Sequence, residues 1–329
     1  MEQIIWNVYN QFHCIAQACP DSCCQGWEVD VDENSAAYYR TLPGKLGERL
    51  RQVLKTENGA SCMTLENGRC PMWRQDGLCQ IQAQLDHQAL CQVCREYPRL
   101  HMDYGNFSEW GLELSCPEAA RLLFSGVTIE TRIIPGIEEQ AYDGETMEIL
   151  RKSREEILSF WQQTALPVPQ ALAGMLLYAH QVQAAIDGGE DFALQPEKCL
   201  QIAKEHAGTG DIRSVFDFFA NLEILTDQWK NRLATPKWGV WDSRLRHLVA
   251  YLIRRYWLQA VWDYDLVCRV KFMVTACILI NALGGDTEKT AQLFSKEIEN
   301  DPDNLEAILD AAYTSEAFAD ANLLGLLPI

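Results

Sequence analysis

Apolar residues recur at the spacing of amphipathic helices throughout the second half of the chain. In the first of these helices, the apolar face consists of Met147, Leu150, Ile157, Leu158 and Trp161. Further helices are predicted at about residues 172–186, 197–206, 211–232, 243–262 and 265–283. A last one follows Asp301-Pro302, which is an N-cap followed by proline at the first helical position. The pattern therefore predicts an α-helical domain over residues 146–329.

The first 116 residues show weaker periodicity and contain many turn residues. Their short predicted elements are a strand at Trp27–Asp32, a helix capped by Asn34 or Ser35 that runs to Arg40, a helix at Leu46–Lys55 ended by Asn58-Gly59, a strand at Leu112–Ser115, and a helix from Cys116-Pro117 to Phe124. Asp76-Gly77 is typical of a hairpin turn and would bring Cys70 and Cys79 together. Such short elements indicate an irregular region.

The predicted fold class is mainly α. An irregular cysteine-rich, metal-binding region with short strands and helices occupies residues 1–125, and the α-helical domain occupies residues 146–329. Residues 126–145 are predicted to be a connector, in which a β-branched strand at Val127–Ile134 is broken by Pro135-Gly136. Two domains are also what a length of 329 residues suggests.

The chain is strongly acidic, with a formal net charge of −18. A protein that neutralises phosphates needs a basic face, so the charge argues against nucleic acid and fits a cationic partner such as a lysine-bearing protein surface. The N-terminal segment lacks the basic and apolar regions of a signal peptide. The most apolar stretch, Val270–Leu283, contains Lys271 and Asn281 and is predicted to be a buried helix. We therefore expect a soluble cytoplasmic protein without a membrane partner.

Ten of the thirteen cysteines lie in the first 116 residues, and four of them fall between Cys14 and Cys24. Adjacent side chains diverge on helices and strands, so Cys23 and Cys24 can face one object only from an irregular loop. Because cytosolic thiols are kept reduced, this clustering favours a metal over disulfides. Cys199, Cys268 and Cys277 are isolated in apolar helical patterns, where cysteine is usually a small core residue.

Thiolate ligands select zinc or iron–sulfur clusters. Structural zinc usually shows paired knuckles, and here only Cys91/Cys94 and Cys19/Cys23 have that form. Cluster ligation tolerates irregular spacing, so the pattern favours iron–sulfur narrowly and leaves zinc as the alternative metal.

Several blocks carry a resemblance to a known family. They are Phe12–Trp27, Cys70–Ile81, Cys94–Arg99, Leu114–Leu123, Tyr251–Trp257, Arg269–Phe272 and Gln292–Leu305. On these blocks the sequence resembles the flagellin lysine-N-methylase (FliB) family, whose N-terminal part is similar to the broader CxxCxxCC class of zinc- or iron-chelating proteins. The resemblance implies N-methylation of surface lysines on flagellin, S-adenosylmethionine as the methyl donor, and a [4Fe–4S] cluster held by cysteines.

The resemblance also assigns candidate site residues. Its metal-binding thiols are Cys14, Cys19, Cys23, Cys24, Cys70, Cys79, Cys94 and Cys116. These exceed the four cysteines that one cubane takes, and Cys62 and Cys91 are interpreted as spare thiols. Arg95, Tyr97 and Arg99 could hydrogen-bond cluster sulfurs or hold a carboxylate of the donor; the alternative is an arginine that stacks on a tyrosine or pairs with Glu96.

Two further observations keep other functions open. Asp21 and Glu118 lie next to thiols and could orient a lysine ammonium, although such residues more often cap a loop or helix. No strand–Gly-x-Gly–helix pattern is present, so a methyl donor would bind in an architecture other than the usual nucleotide fold. A non-enzymatic metal module with a helical partner-binding domain is therefore the alternative function, and a redox protein is a third.

Overall fold

The computed structural model describes residues 1–57, 59–135, 140, 142–189 and 191–329. The strands are β1 Glu2–Trp6, β2 Val29–Val31, β3 Leu54–Glu57, β4 Ala60–Met63, β5 Arg99–Asp103, β6 Phe107–Leu112 and β7 Ile129–Ile133. The helices of the N-terminal part are α1 Asn7–Gln11, α2 Glu33–Thr41, α3 Gly44–Val53, α4 Gln80–Gln84, α5 Gln92–Glu96 and α6 Pro117–Phe124. The later helices are α7 Gly144–Gln163, α8 Val168–Gly188, α9 Pro196–His206, α10 Ile212–Ala220, α11 Asp227–Leu233, α12 Leu245–Tyr256, α13 Leu266–Leu283, α14 Thr287–Phe294, α15 Pro302–Ala311 and α16 Asp320–Leu326. A π-helical turn, Ser295–Glu299, continues α14.

Two small sheets lie in the N-terminal part of the chain. One has the strand order β5-β6-β1-β7, with β1 parallel to β6 and antiparallel to β7. The other is antiparallel with the order β2-β4-β3. The chain leaves the first sheet after β1 and returns at β5, so residues 7–98 form a long excursion that carries nine of the thiols.

The buried side chains form two hydrophobic clusters. The larger cluster extends from Trp6 to Leu327 and joins the first sheet to the helices, whereas the smaller one lies within residues 29–91. The Trp6 ring lies against Gly111 of β6, where a Cβ would come within 2.6 Å of an indole carbon. The first sheet therefore shares its core with the helical part, and the excursion has a core of its own.

Helix α13 lies at the centre of the larger cluster. Within the described residues, it alone is long and apolar enough to match a membrane span, and all eighteen of its residues are buried inside the protein. The Lys271 ammonium donates to the carbonyl of Ala312 over 2.9 Å and pairs with Asp320 at 3.2 Å. The prediction of a buried core helix is confirmed.

The predicted fold class, mainly α with an irregular N-terminal part, is confirmed. The boundaries at residues 125 and 145 stay predictions. Strand β7 matches the expected β-branched strand, and α6 matches the helix that follows Cys116. The predicted helix end at Asn58-Gly59 and the predicted strand break at Pro135-Gly136 each include a residue, Asn58 and Gly136, that lies outside the described residues.

Three local predictions were wrong. Helix α2 is capped by Asp32, whose carboxylate accepts from the Ser35 N–H, and not by Asn34 or Ser35. The expected strand at 112–115 is the end of β6, which stops at Leu112. The helix expected at 211–232 is split into α10 and α11, because the Leu225 N–H and the Thr226 hydroxyl donate to the buried Glu297 carboxylate instead of continuing the helix.

Candidate metal centre

Two cysteine-bearing loops are joined edge to edge by backbone hydrogen bonds. The Cys70 N–H donates to the Cys24 carbonyl over 2.8 Å, and the Gly26 N–H donates to the Gly68 carbonyl over 3.1 Å. Both glycines have positive φ, +94° and +74°, a conformation that is unfavourable for other residues. These backbone hydrogen bonds thus bring the loop that carries Cys14 to Cys24, the first cysteine loop, against the loop that carries Cys70.

The segment from Cys70 to Cys79 forms the predicted turn. The Gly77 N–H donates to the Arg74 carbonyl over 2.9 Å, and the Gln80 N–H donates to the Met72 carbonyl over 2.8 Å. Burial raises the pKa of the Cys79 thiol, and the nearby Cys70 raises it further. The two thiols are therefore electrostatic neighbours, as the turn prediction required.

Helix α5 contributes the next two thiols. Cys91 is the residue before its first turn, and Cys94 lies within it. The Asp32 carboxylate accepts from the Gln92 N–H over 2.8 Å, and the Tyr39 hydroxyl donates to the Ala89 carbonyl over 2.8 Å. Asp32 is the N-cap of α2 and Tyr39 lies within that helix, so α2 holds the start of α5 and the segment before it in place.

The thiols of these loops are electrostatic neighbours. Cys24 acts on Cys23 and Cys70, and Cys91 acts on Cys94. The neighbouring Cys24 thiol lowers the pKa of Cys23 to about 7, with a smaller contribution from the Lys296 ammonium. The same pairing raises the pKa of Cys24, so each pair contains one thiol that ionises readily and one that does not.

We call Cys23, Cys24, Cys70, Cys79, Cys91 and Cys94 the first thiol group. A second thiol group, Cys14, Cys19 and Cys116, lies beside it. Cys14 and Cys19 are the thiols whose charge acts on Cys116, and Cys19 in turn is an electrostatic neighbour of Cys23. Burial raises the pKa of Cys116 to about 12, although its sulfur accepts from the Ala119 and Glu118 N–H groups at the start of α6. Cys14 is exposed, so this group borders solvent.

The donor set fits a soft metal in its chemistry. All thirteen cysteines are free thiols, none joined in a disulfide, and thiolates suit zinc or an iron–sulfur cluster. As the side chains stand, no set of three or more His, Cys, Asp or Glu residues in the described ranges is arranged to hold an ion. The assignment of ligands among the eight predicted thiols therefore stays a prediction.

Two cysteines that were interpreted as spare thiols lie in different places. Cys62 is on β4, where its electrostatic neighbours are Glu28, Asp30 and Glu57 rather than other thiols. Cys91 is buried, and the neighbouring Cys94 thiol lowers its pKa, which places Cys91 within the first thiol group. The knuckle spacing of Cys91 and Cys94 was the sequence signal for this pairing, but the resemblance did not include Cys91 among the metal-binding thiols.

The three polar residues after Cys94 bind parts of the protein. Arg95 donates to the Leu90 carbonyl over 3.1 Å. Arg99 lies over the rings of Tyr9 and Phe12, at 5.6 and 5.4 Å from their centroids. Their predicted role toward a cofactor stays a prediction.

Tyr97 has thiols of both groups, Cys116 and Cys23, as electrostatic neighbours. Its hydroxyl is 3.1 Å from the Ser115 hydroxyl. Burial, with Cys116 nearby, raises the pKa of Tyr97 well above its usual value, so this phenol is neutral. It can therefore donate a hydrogen bond next to the second thiol group.

Sequence reasoning missed the contact that joins the cysteine loops to the helical part. The Lys296 ammonium of the π-helical turn binds Asp21, and Glu118 pairs with Arg121 on its own helix. Gln292 and Asn300 bind Ser115, the residue before Cys116. The block Gln292–Leu305 was noted for its resemblance to the family. Nothing in the sequence near it indicates that it contacts the loops at Asp21 and Ser115.

This cysteine-rich, mainly helical chain is similar in sequence to a flagellar protein. The chain is 32% identical over 114 residues to the flagellar biosynthetic protein FliU of Salmonella muenchen, an alignment that covers 32% of this chain and 68% of FliU. The chain therefore belongs to the family of FliU. No family model and no solved structure matches it.

Two enzymes are similar over a region of the same length. A lysine-N-methylase of Salmonella typhimurium strain LT2 is 32% identical over 115 residues, and one of Salmonella choleraesuis is 32% identical over 114 residues. These alignments cover 33% and 32% of this chain but only 29% and 28% of the two methylases. The match thus spans less than a third of each enzyme.

Proposed function

We propose that the protein is a lysine N-methyltransferase that acts on surface lysines of flagellin in the cytoplasm. In this proposal S-adenosylmethionine is the methyl donor, and the N-terminal cysteines hold a [4Fe–4S] cluster. The observation that carries the proposal is the similarity to two lysine-N-methylases, together with membership of a flagellar protein family. The gathered free thiols support its metal-binding part.

The residues that would hold the cluster come from the first thiol group: Cys24, Cys70 and Cys79 on two loops and Cys94 in helix α5. A bound cluster would supply a rigid inorganic core that orders these loops. The protein's own contribution is to bring the loops together and to exclude water with the small hydrophobic cluster around them. Iron and sulfide analysis of anaerobically purified protein tests this part directly.

The charge of the chain supports a cationic substrate. A net charge of −18 attracts a cationic target, and a lysine that receives a methyl group must first lose its proton in a desolvated site or to a base. Long-range attraction of this kind weakens with salt. We therefore expect binding of flagellin to weaken as ionic strength rises.

The decisive experiment is co-expression with flagellin followed by mass spectrometry of the flagellin. Mass increases in steps of one methyl group on defined lysines are the expected result, and they disappear when those lysines are replaced by arginine. A Cys24→Ala variant should lose the modification, whereas Cys62→Ala should keep it because Cys62 lies away from the other thiols. Unmodified flagellin from the wild-type co-expression would refute the proposal.

A non-enzymatic metal module is the second candidate. It is favoured by the sheet topology, because the described strands contain one parallel pair, β1 and β6, rather than the doubly wound parallel sheet that binds adenosyl cofactors in many methyltransferases. This candidate predicts a colourless, zinc-loaded protein that binds its partner and transfers no methyl group. Metal analysis and the mass measurement together separate the two functions.

A further inference from the structure

We propose that Lys296 is a positioning residue for the loop that carries Cys19, Cys23 and Cys24, and that it acts through Asp21. The inference rests on the metal-binding part of the proposed function and adds a residue of the helical part to it. Asp21 lies two residues from Cys19 and two from Cys23. Whatever holds the Asp21 carboxylate therefore holds the centre of this loop.

The contact between the two residues is close and shielded. The Lys296 Nζ atom lies 2.8 and 3.0 Å from the two carboxylate oxygens of Asp21, and 3.4 Å from the Ser22 carbonyl. The Lys296 side chain is 11% exposed and that of Asp21 is 28% exposed. An ion pair with so little solvent around it is screened far less than a surface pair.

Gln292 ties the same carboxylate to the second thiol group. Its amide nitrogen donates to Asp21 over 3.1 Å and to the Ser115 carbonyl over 2.6 Å. One turn beyond Lys296, the Asn300 amide donates to the Ser115 hydroxyl over 2.9 Å. Residues four apart lie along one helical face, so a single polar face sets the distance between the loop at Asp21 and the loop at Cys116.

The π-helical turn explains why this face is rigid. Glu297 and Glu299, on either side of Ile298, are also buried and point to other partners. Glu297 accepts from the Leu225 N–H over 2.8 Å, and Glu299 accepts from the Tyr256 hydroxyl over 2.7 Å. The backbone that carries Lys296 is thus held from both sides, and π-helical turns of this kind are frequent at functional sites.

The experiment measures metal retention in three variants. Lys296→Met removes the ammonium, Lys296→Arg keeps a positive charge, and Lys289→Met removes an exposed lysine of α14 as the matched control. Loss of a residue that orients metal ligands typically lowers metal affinity by about 10- to 100-fold, which is the loss expected for Lys296→Met in a chelator competition. Lys296→Arg should restore most of the affinity, and Lys289→Met should leave it unchanged.

A second readout does not depend on metal. In metal-free protein, iodoacetamide should modify Cys19 about tenfold faster in Lys296→Met than in the wild type, because local opening exposes the loop. Cys62 in the same molecule provides the internal reference. A wild type that binds no metal would refute the metal-binding function, and the alkylation rates would then decide on the position of the loop.

One result would overturn the inference: a Lys296→Met protein with wild-type metal affinity and an unchanged Cys19 alkylation rate. A lower unfolding temperature beside these unchanged readouts would then identify Lys296 as a merely structural lysine.

Discussion

The buried ion pair between Arg255 and Glu299 offers a sharp test of the packing argument. Arg255 of α12 and Glu299 are 8% and 5% exposed, and their charged atoms are 3.5 Å apart. The Tyr251 and Tyr256 hydroxyls both donate to Glu299, and Tyr251 also accepts from the Leu114 N–H over 3.4 Å. The test removes the charge of Arg255, the charge of Glu299, and then both charges together by substitution.

The expected magnitudes follow from desolvation. Arg255→Met leaves a buried carboxylate with only phenolic partners, and Glu299→Leu leaves a buried guanidinium whose remaining carboxylate, Glu113, is 4.0 Å away. Removing one partner of a buried pair costs about 3–5 kcal/mol. Replacing both partners by apolar residues of similar volume removes the uncompensated charge, so the double variant should lose only about 1–3 kcal/mol, for the hydrogen bonds of the two phenols.

Urea unfolding of the metal-free protein, followed by circular dichroism and tryptophan fluorescence, gives the free energy of unfolding for all four proteins. We expect the double variant to be more stable than either single variant, with a coupling of at least about 3 kcal/mol. Additive losses, or single losses below about 1 kcal/mol, would refute the description of this pair as desolvated and mutually dependent.

Three further predictions concern the thiols, the sheet and a cap. Metal content should fall in Cys24→Ser but not in Cys62→Ser, measured by elemental analysis of anaerobically purified protein; equal losses would contradict the thiol grouping. Gly111→Ala should destabilise the protein by about 1–3 kcal/mol in urea, since its Cβ would lie 2.6 Å from a ring carbon, whereas Gly174→Ala, which has open space in α8, should be neutral or stabilising. Asp32→Ala should cost about 1–2 kcal/mol at pH 7, with a smaller loss for Asp32→Asn. Hydrogen bonds from Gln92 and Ser35 hold the pKa of Asp32 below its usual value, so this stabilisation is present above about pH 4 and is lost as the pH falls through the folded-state pKa. The difference from wild type should therefore shrink in acid.

Much of the helical part could be predicted from the sequence because its apolar period is local. Helices α9 and α13 lie within one residue of their expected bounds. The prediction failed where a distant side chain competes for the backbone, as Glu297 does at residues 225 and 226. The π-helical turn has no periodic signal at all, because it depends on buried partners from several other elements.

The candidate site was only partly predictable for a related reason. The turn at Asp76-Gly77 is local chemistry and was predicted correctly. Which thiols meet depends on Asp32 and Tyr39, which lie about 50–60 residues before the segment that they hold. The contact between Asp21 and Lys296 spans 275 residues, and no pattern along the chain indicates it.

That separation has a consequence for how the protein is made. Residue 21 leaves the ribosome 275 residues before residue 296. Until Lys296 emerges, the loop at Cys19–Cys24 has its contacts with the loop at Cys70 but lacks the ion pair that ties it to the helical part. We therefore expect the proposed metal to be inserted after α14 and its π-helical turn have folded.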